Sequence, residues 1–135
     1  MIIEGSDSDL EAVVALWERC GLTRPWNDAR QDYRTALGAP DAVVLLRKDG
    51  VRTVASVMVG FDGHRGWIYY LAVEAALQRQ GLGREMMAAA EQWLRARGAP
   101  KLQLMVRDAN AAALQFYERL GLEPQAVTVL GKRLD

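Results

Sequence analysis

A glycine-rich turn, Gln78-Arg79-Gln80-Gly81-Leu82-Gly83-Arg84, carries the residue types best suited to holding a charged ligand. An apolar run over residues 67–73 precedes it and reads as a strand, and an amphipathic run over 83–97 follows it and reads as a helix. The first N–H groups of a helix have no partner within it, and the helix dipole favours negative charge at that end. Glycine lets a ligand approach the backbone with no Cβ in the way. Arg79 and Arg84 flank the turn with positive charge. A strand, such a turn and a helix together make a site for phosphate groups.

Two common phosphate loops do not fit. A P-loop requires Gly-x-x-x-x-Gly-Lys-Ser/Thr, and the turn has neither the lysine nor the hydroxyl. The dinucleotide fingerprint Gly-x-Gly-x-x-Gly would need glycine where Met86 stands, for close packing of helix on strand. What remains is Gln-x-x-Gly-x-Gly after a strand ending in Leu71, Ala72 and Val73. Downstream, Asn110 precedes a helical run containing Tyr117 and closing at Leu120-Gly121. Taken singly, Asn110 reads as a helix cap and Tyr117 as a core aromatic with a polar tip.

Together these motifs resemble the GNAT superfamily of N-acetyltransferases, and the resemblance runs through nearly the whole chain. It implies a mixed α/β fold, with a mostly antiparallel sheet splayed between the fourth and fifth strands and flanked by helices. It implies acetyl-CoA as cofactor. The pyrophosphate would lie at Arg79, Gln80, Gly81, Leu82, Gly83 and Arg84, and the pantetheine arm along Leu71, Ala72 and Val73 and at Asn110. Tyr117 would be the general acid for the leaving thiolate. The acetyl group would pass directly to a primary amine within a ternary complex, with no acyl-enzyme. Within the superfamily the chain looks most like the bacterial YpeA-type subgroup. The ribosomal-protein alanine acetyltransferases also resemble it over residues 102–121, but carry glutamate where this chain has Met105.

An alkyl ammonium with a pKa near 10 must lose a proton before it attacks a thioester. Trp67 stands at another position where the family often places a glutamate base. The groups left for that role are His64, Asp62, Tyr69, Tyr70 and Glu74, or a chain of waters; His64 is the only histidine, and imidazole titrates in a suitable range. The resemblance puts the acceptor beside Arg24, Trp26, Asn27, Asp28 and Asp62. Acidic groups there would attract a cation, and Arg24 and Arg65 would grip a carboxylate. The acceptor is therefore a small amine, amino-acid-like metabolite or peptide amine. The alternative is a non-catalytic acyl-CoA-binding regulatory module, which would have no use for a general acid at Tyr117.

The elements that must position these groups follow from punctuation. Residues 1–4 read as a first strand. Ser8 with Glu11 reads as a capping box opening a helix that Gly21 ends. Asn27 or Asp28 caps a second helix to about Leu37. Strands over 42–48, 51–61 and 67–73, separated by Asp49-Gly50 and 62–66, make an antiparallel meander. Met86, Ala89, Ala90, Trp93 and Leu94 give the next helix one apolar face before Gly98 and Pro100 stop it. A strand over 101–106 follows, then a helix over 110–120 and a final strand over 127–134, with a stub at 122–124.

The 135 residues are enough for one domain with a core. Half are hydrophobic and the formal net charge is zero, which gives no electrostatic case for nucleic acid or an anionic membrane surface. The single cysteine, Cys20, permits no internal disulfide, suits a reducing cytoplasm, and reads as a small buried residue. No metal-ligand spacing is present. An uncovered C-terminal sheet edge would suit a homodimer.

Overall fold

Two tight turns, one with Gly50 at φ +62° and one with Gly63 at φ +92°, fold three apolar runs into a meander. In a computed structural model, which describes residues 1–135 throughout, the chain divides into two compact units, Met1–Met105 and Val106–Asp135. The first contains β1 (Ile2–Glu4), α1 (Leu10–Arg19), α2 (Ala29–Gly38), β2 (Ala42–Asp49), β3 (Arg52–Phe61), β4 (Gly66–Val73), α3 (Leu82–Ala96) and β5 (Leu102–Leu104). One sheet runs in the order β1-β2-β3-β4-β5. Its pairs are antiparallel except β4 with β5, which α3 joins as a crossover and so makes parallel.

Both faces of the sheet are covered, which is why β2 reads as a continuous apolar run: Val43, Val44, Leu45 and Leu46 are all buried. On one face Val13, Val14, Leu16 and Trp17 of α1 and Tyr33 and Ala36 of α2 pack with Val44, Leu46 and Ala72. α3 packs on β2, β3 and β4 and buries Met86, Met87, Ala90 and Leu94. Trp93, expected on that apolar face, is half-buried and lies under the Arg97 guanidinium, 3.6 Å from its ring.

The second unit contains α4 (Ala111–Arg119), opened by Asn110, followed by a tail without helix or strand. The final strand expected over 127–134 does not form, nor does the stub at 122–124. Val127, Val129, Leu130 and Leu134 are exposed. An alternating sequence becomes a strand only on a pleated, half-buried surface with a neighbour to pair with, and this unit offers only a helix.

The start of the first helix also differs from expectation. The pattern Ser-x-x-acid occurs twice in overlap, and the earlier copy is the one used: the Ser6 N–H donates to Asp9 Oδ2 at 3.0 Å and opens a short 3₁₀ turn before α1. Glu11 instead takes a two-point bond from Arg30, at 3.0 and 2.8 Å, tying α1 to α2.

Gly66 is where α3 comes closest to β4. A Cβ there would lie 2.5 Å from Leu94 Cδ1 and 2.6 Å from Cδ2, and Leu94 is itself buried. Overpacking of this kind costs about 1–3 kcal/mol. Gly66→Ala should lower the urea midpoint accordingly. The double variant with Leu94→Ala should lose less than the sum of the two single changes.

Candidate active site

β4 is paired on both sides only at Gly66, Trp67 and Ile68, because β5 ends at Leu104. From Tyr69 to Val73 its sole sheet partner is β3, so the sheet is open here between the fourth and fifth strands. Within this stretch Met58 faces Tyr69 and Ser56 faces Ala72. Tyr70 and Leu71 therefore oppose Val57 alone, which is a β-bulge. Tyr70 adopts φ +51°, a left-handed conformation uncommon for a bulky residue.

The bulge is held from three directions. The Ser56 hydroxyl donates to the Tyr70 carbonyl at 3.0 Å and accepts from Trp17 Nε1 at 2.8 Å. The Tyr70 ring stacks on Trp17 with centroids 3.8 Å apart and planes 7° from parallel. Its hydroxyl donates to Asp32 Oδ2 at 2.7 Å. Tyr70 is thus the core-facing member of the tyrosine pair, and Tyr69 is 45% exposed. Burial, then the Asp62 carboxylate, pushes the Tyr69 phenol up.

Beyond the bulge, the Glu74 N–H donates to the Val54 carbonyl of β3 at 2.8 Å. Alternation then turns the backbone groups of Val73 away from β3. The Val73 carbonyl accepts from Gln78 Nε2 at 3.1 Å and from the Cys20 thiol at 3.4 Å. Burial, with Glu74 nearby, pushes the Cys20 thiol up. The Glu74 carboxylate takes two bonds from Arg19, at 2.7 and 3.3 Å, with Arg52 at 3.7 Å. Arg19 holds its carboxyl below the usual glutamate range.

The loop from here to α3 uses two left-handed residues, Arg79 at φ +66° and Gly81 at φ +85°. Gly81 is the N-cap of α3, where no side chain caps the helix; the Glu85 N–H makes the first ladder bond, to the Gly81 carbonyl at 3.0 Å. The amides of Leu82, Gly83 and Arg84 ahead of it are the ones a helix start leaves without an internal partner. A Cβ on Gly81 would meet nothing within 4 Å, so the ground before these amides is open. A helix start of this kind is a place where an anion can be held by backbone alone.

The other predicted residues have local duties. Asp62 Oδ1 accepts from the N–H groups of His64 and Arg65 at 2.8 and 2.7 Å, and these two bonds lower its carboxyl pKa. His64 is exposed on the β3–β4 turn. Asp28 Oδ1 accepts from the Gln31 N–H at 3.0 Å and so caps α2. Arg24 folds back on the Gly21 and Thr23 carbonyls, at 2.8 Å each. Trp26 is 54% exposed, and Asn27 is exposed beside it. In the second unit Asn110 Oδ1 caps α4 through the Ala113 N–H at 3.1 Å. Tyr117 lies two turns further on the same helix face, with its ring edge-on to Phe116 at 5.1 Å. Burial pushes the Tyr117 phenol up to about 12.

Residues 10–122 match the model of the acetyltransferase (GNAT) family. The chain belongs to the GNAT acetyltransferase family. It is 43% identical over 127 residues to an acetyltransferase of Yersinia enterocolitica, covering 94% of this chain and 90% of that one. It is 44% identical over 126 residues to an acetyltransferase of Pectobacterium atrosepticum, covering 93% and 89%. Its fold matches the aminoglycoside acetyltransferase AAC(6')-Iy, solved with a CoA bisubstrate analogue, at a TM-score of 0.83 over 98% of this chain and 97% of that one, with 15% identity. This GNAT chain is accordingly an N-acetyltransferase whose acyl donor is acetyl-CoA. None of its helices is long and apolar enough to cross a membrane.

Sequence reasoning did not find the Arg19–Glu74 clamp, the Tyr70 bulge, or the use of the Gln78 side chain to anchor the loop. Only Gln78 left a signal, as the first residue of the loop pattern. A clamp between residues 55 apart leaves none.

A carboxyl whose folded pKa is depressed adds stability above its unfolded pKa and loses that stability as pH falls through the folded value. Glu74, ordinarily near 4.5, is such a group. Wild type should exceed Glu74→Gln in unfolding free energy at neutral pH. That gap should close as pH is lowered below 4.5. Urea titrations at a series of pH values would test it.

Proposed function

We propose that the chain transfers acetyl from acetyl-CoA directly to a primary amine in a ternary complex, with both compact units serving one catalytic domain. The bare N-terminus of α3 behind left-handed Gly81, directly after the open edge of β4, is the observation that carries this reading. On this reading the amides of Leu82, Gly83 and Arg84 take the pyrophosphate, with Arg79, Gln80 and Gly81 completing the turn. Leu71, Ala72 and the Val73 N–H receive the pantetheine arm as a further strand would be received, and Asn110 adds a polar contact. Acetyl-CoA supplies the activated thioester. Tyr117 Oη acts as general acid, and a phenol with its pKa pushed up to about 12 keeps that proton throughout the neutral range.

The base is narrowed by what is already engaged. Glu74 is clamped by Arg19, and Asp62 is committed to its turn; both are held as weaker bases than an ordinary carboxylate. Tyr69 and Tyr70 have raised phenols and keep their protons at neutral pH. The amine proton then leaves through His64 or through water. For the acceptor we favour a cationic amine over a zwitterion, because Arg24 and Arg65 spend donors on neighbouring carbonyls. Trp26, Asn27, Asp28 and Asp62 form its surroundings. A single free cysteine is compatible with the cytoplasm, where we place the enzyme.

Acetyl-CoA titrated calorimetrically into wild type should bind, and Gly81→Trp should not, since an indole would fill the ground before the amides. Binding by neither would overturn this cofactor site. CoA release should then be followed with acetyl-CoA and a panel of primary amines: an aminoglycoside, a polyamine, an amino-acid amide and a short peptide. Tyr117→Phe should slow release by about 10²-fold or more with little change in acetyl-CoA affinity. An unchanged rate would remove Tyr117 from the mechanism. Loss of the acidic limb of the rate profile in His64→Gln would assign the base to His64, and an unaltered limb would assign it to water.

A further inference from the structure

We infer that Tyr70 is a positioning residue for the acyl-donor edge, and that Trp17, Ser56 and Asp32 act through it. The inference rests on the proposed reading of β4 as the edge that receives the donor. Tyr70 lies at the turning point of that edge: the ladder to β5 has ended two residues earlier, at Ile68, and the backbone groups offered to the donor begin at the next residue, Leu71.

A tyrosine at φ +51° does not stay there unaided, because its Cβ crowds the backbone. Strain of this kind persists only where the surroundings over-determine the conformation. Here they do so through every part of the residue. The carbonyl is fixed by the Ser56 hydroxyl at 3.0 Å, the ring by Trp17 at 3.8 Å, and the phenol by Asp32 at 2.7 Å. Ser56 and Trp17 are fully buried, and Ser56 has its own second bond, from Trp17 Nε1. The three anchors come from different elements: β3, α1 and α2. Their joint effect is a two-against-one register that sets which way the Leu71 and Val73 backbone groups point. A glycine would adopt this φ freely. Tyrosine adds an aromatic and hydrogen-bonded tie from the bulge to the α1–α2 layer, the layer that also carries the residues proposed for the acceptor.

The test compares Tyr70→Ala with Tyr70→Gly. Both lose the ring, the hydroxyl and their partners, but only glycine tolerates the left-handed backbone. If Tyr70 merely fills space, glycine should be no better than alanine, since it packs no more and gives the unfolded chain more freedom. If Tyr70 sets the bulge, glycine should restore what alanine loses. Two readouts apply: backbone amide resonances of residues 69–73 in the free protein, and acetyl-CoA affinity by calorimetry. Tyr70→Ala should displace those resonances and weaken acetyl-CoA at least tenfold, while Tyr70→Gly should recover the wild-type resonance pattern and most of the affinity. Equal behaviour of the two variants would overturn the positioning role. Acetyl-CoA leaving the 71–73 amides of wild type unmoved would instead overturn the donor-edge reading, and with it the functional half of the inference. Asp32→Asn, which keeps an acceptor for the phenol, should behave nearly as wild type, whereas Asp32→Ala should move toward Tyr70→Ala.

Discussion

Backbone N–H and C=O groups left without partners are costly when buried and invite unwanted pairing when exposed. From Tyr69 to Val73 β4 has a strand partner on one side only, within the sheet rather than at its rim, because β5 pairs with only three of its residues. Much of the nearby structure limits the consequences. Ser56 takes the Tyr70 carbonyl, and Gln78 and Cys20 share the Val73 carbonyl. Glu74 is pinned by Arg19 just beyond the strand end. What stays unpaired is a short set of groups between two fixed points. A flexible edge could pair with many extended chains, whereas a fixed one favours a single approach.

The carboxylates around this edge are already engaged. Glu74 answers Arg19, Asp62 answers two turn amides, Asp28 caps α2 and Asp32 answers Tyr70. Each bond fixes a side chain, and those to Glu74 and Asp62 also lower the carboxyl pKa and so weaken the base. The acid role differs in kind. Tyr117, proposed for that role, has a phenol whose pKa is raised by burial alone, so it stays protonated without needing a partner.

Much of the fold was legible because punctuation and period agreed. Asp49-Gly50 and the turn at 62–66 marked the meander, the apolar face of α3 marked the crossover, Asn110 marked the start of α4, and the start of α3, read at residue 83, falls one residue earlier at Leu82. The failures share a physical origin. The tail over 127–134 has strand composition but no partner, and pairing is not a local property. Two overlapping Ser-x-x-acid patterns are offered for one helix start, and the acid of the unused one is bonded by Arg30 on another helix. The bulge at Tyr70 is invisible because Tyr69-Tyr70 is good strand sequence; its anchors lie on three other elements.

A division of labour follows from how the parts of the site are built. The proposed donor contacts are mostly main-chain: the first amides of α3, the Val73 N–H and the open strand edge. Such contacts ask of the sequence only glycine at a left-handed position, a strand that loses its partner, and side chains that hold the turn. The proposed acceptor contacts are side chains on the loop between α1 and α2 and on the β3–β4 turn, and main-chain geometry does not fix their chemistry. Substitutions there can change what is bound while leaving the donor platform intact, because the bulge separating the two regions is anchored in the core rather than in either loop. The fold and its donor are therefore read from pattern, whereas the acceptor must be read from side chains, and several of those here are committed to their own loops.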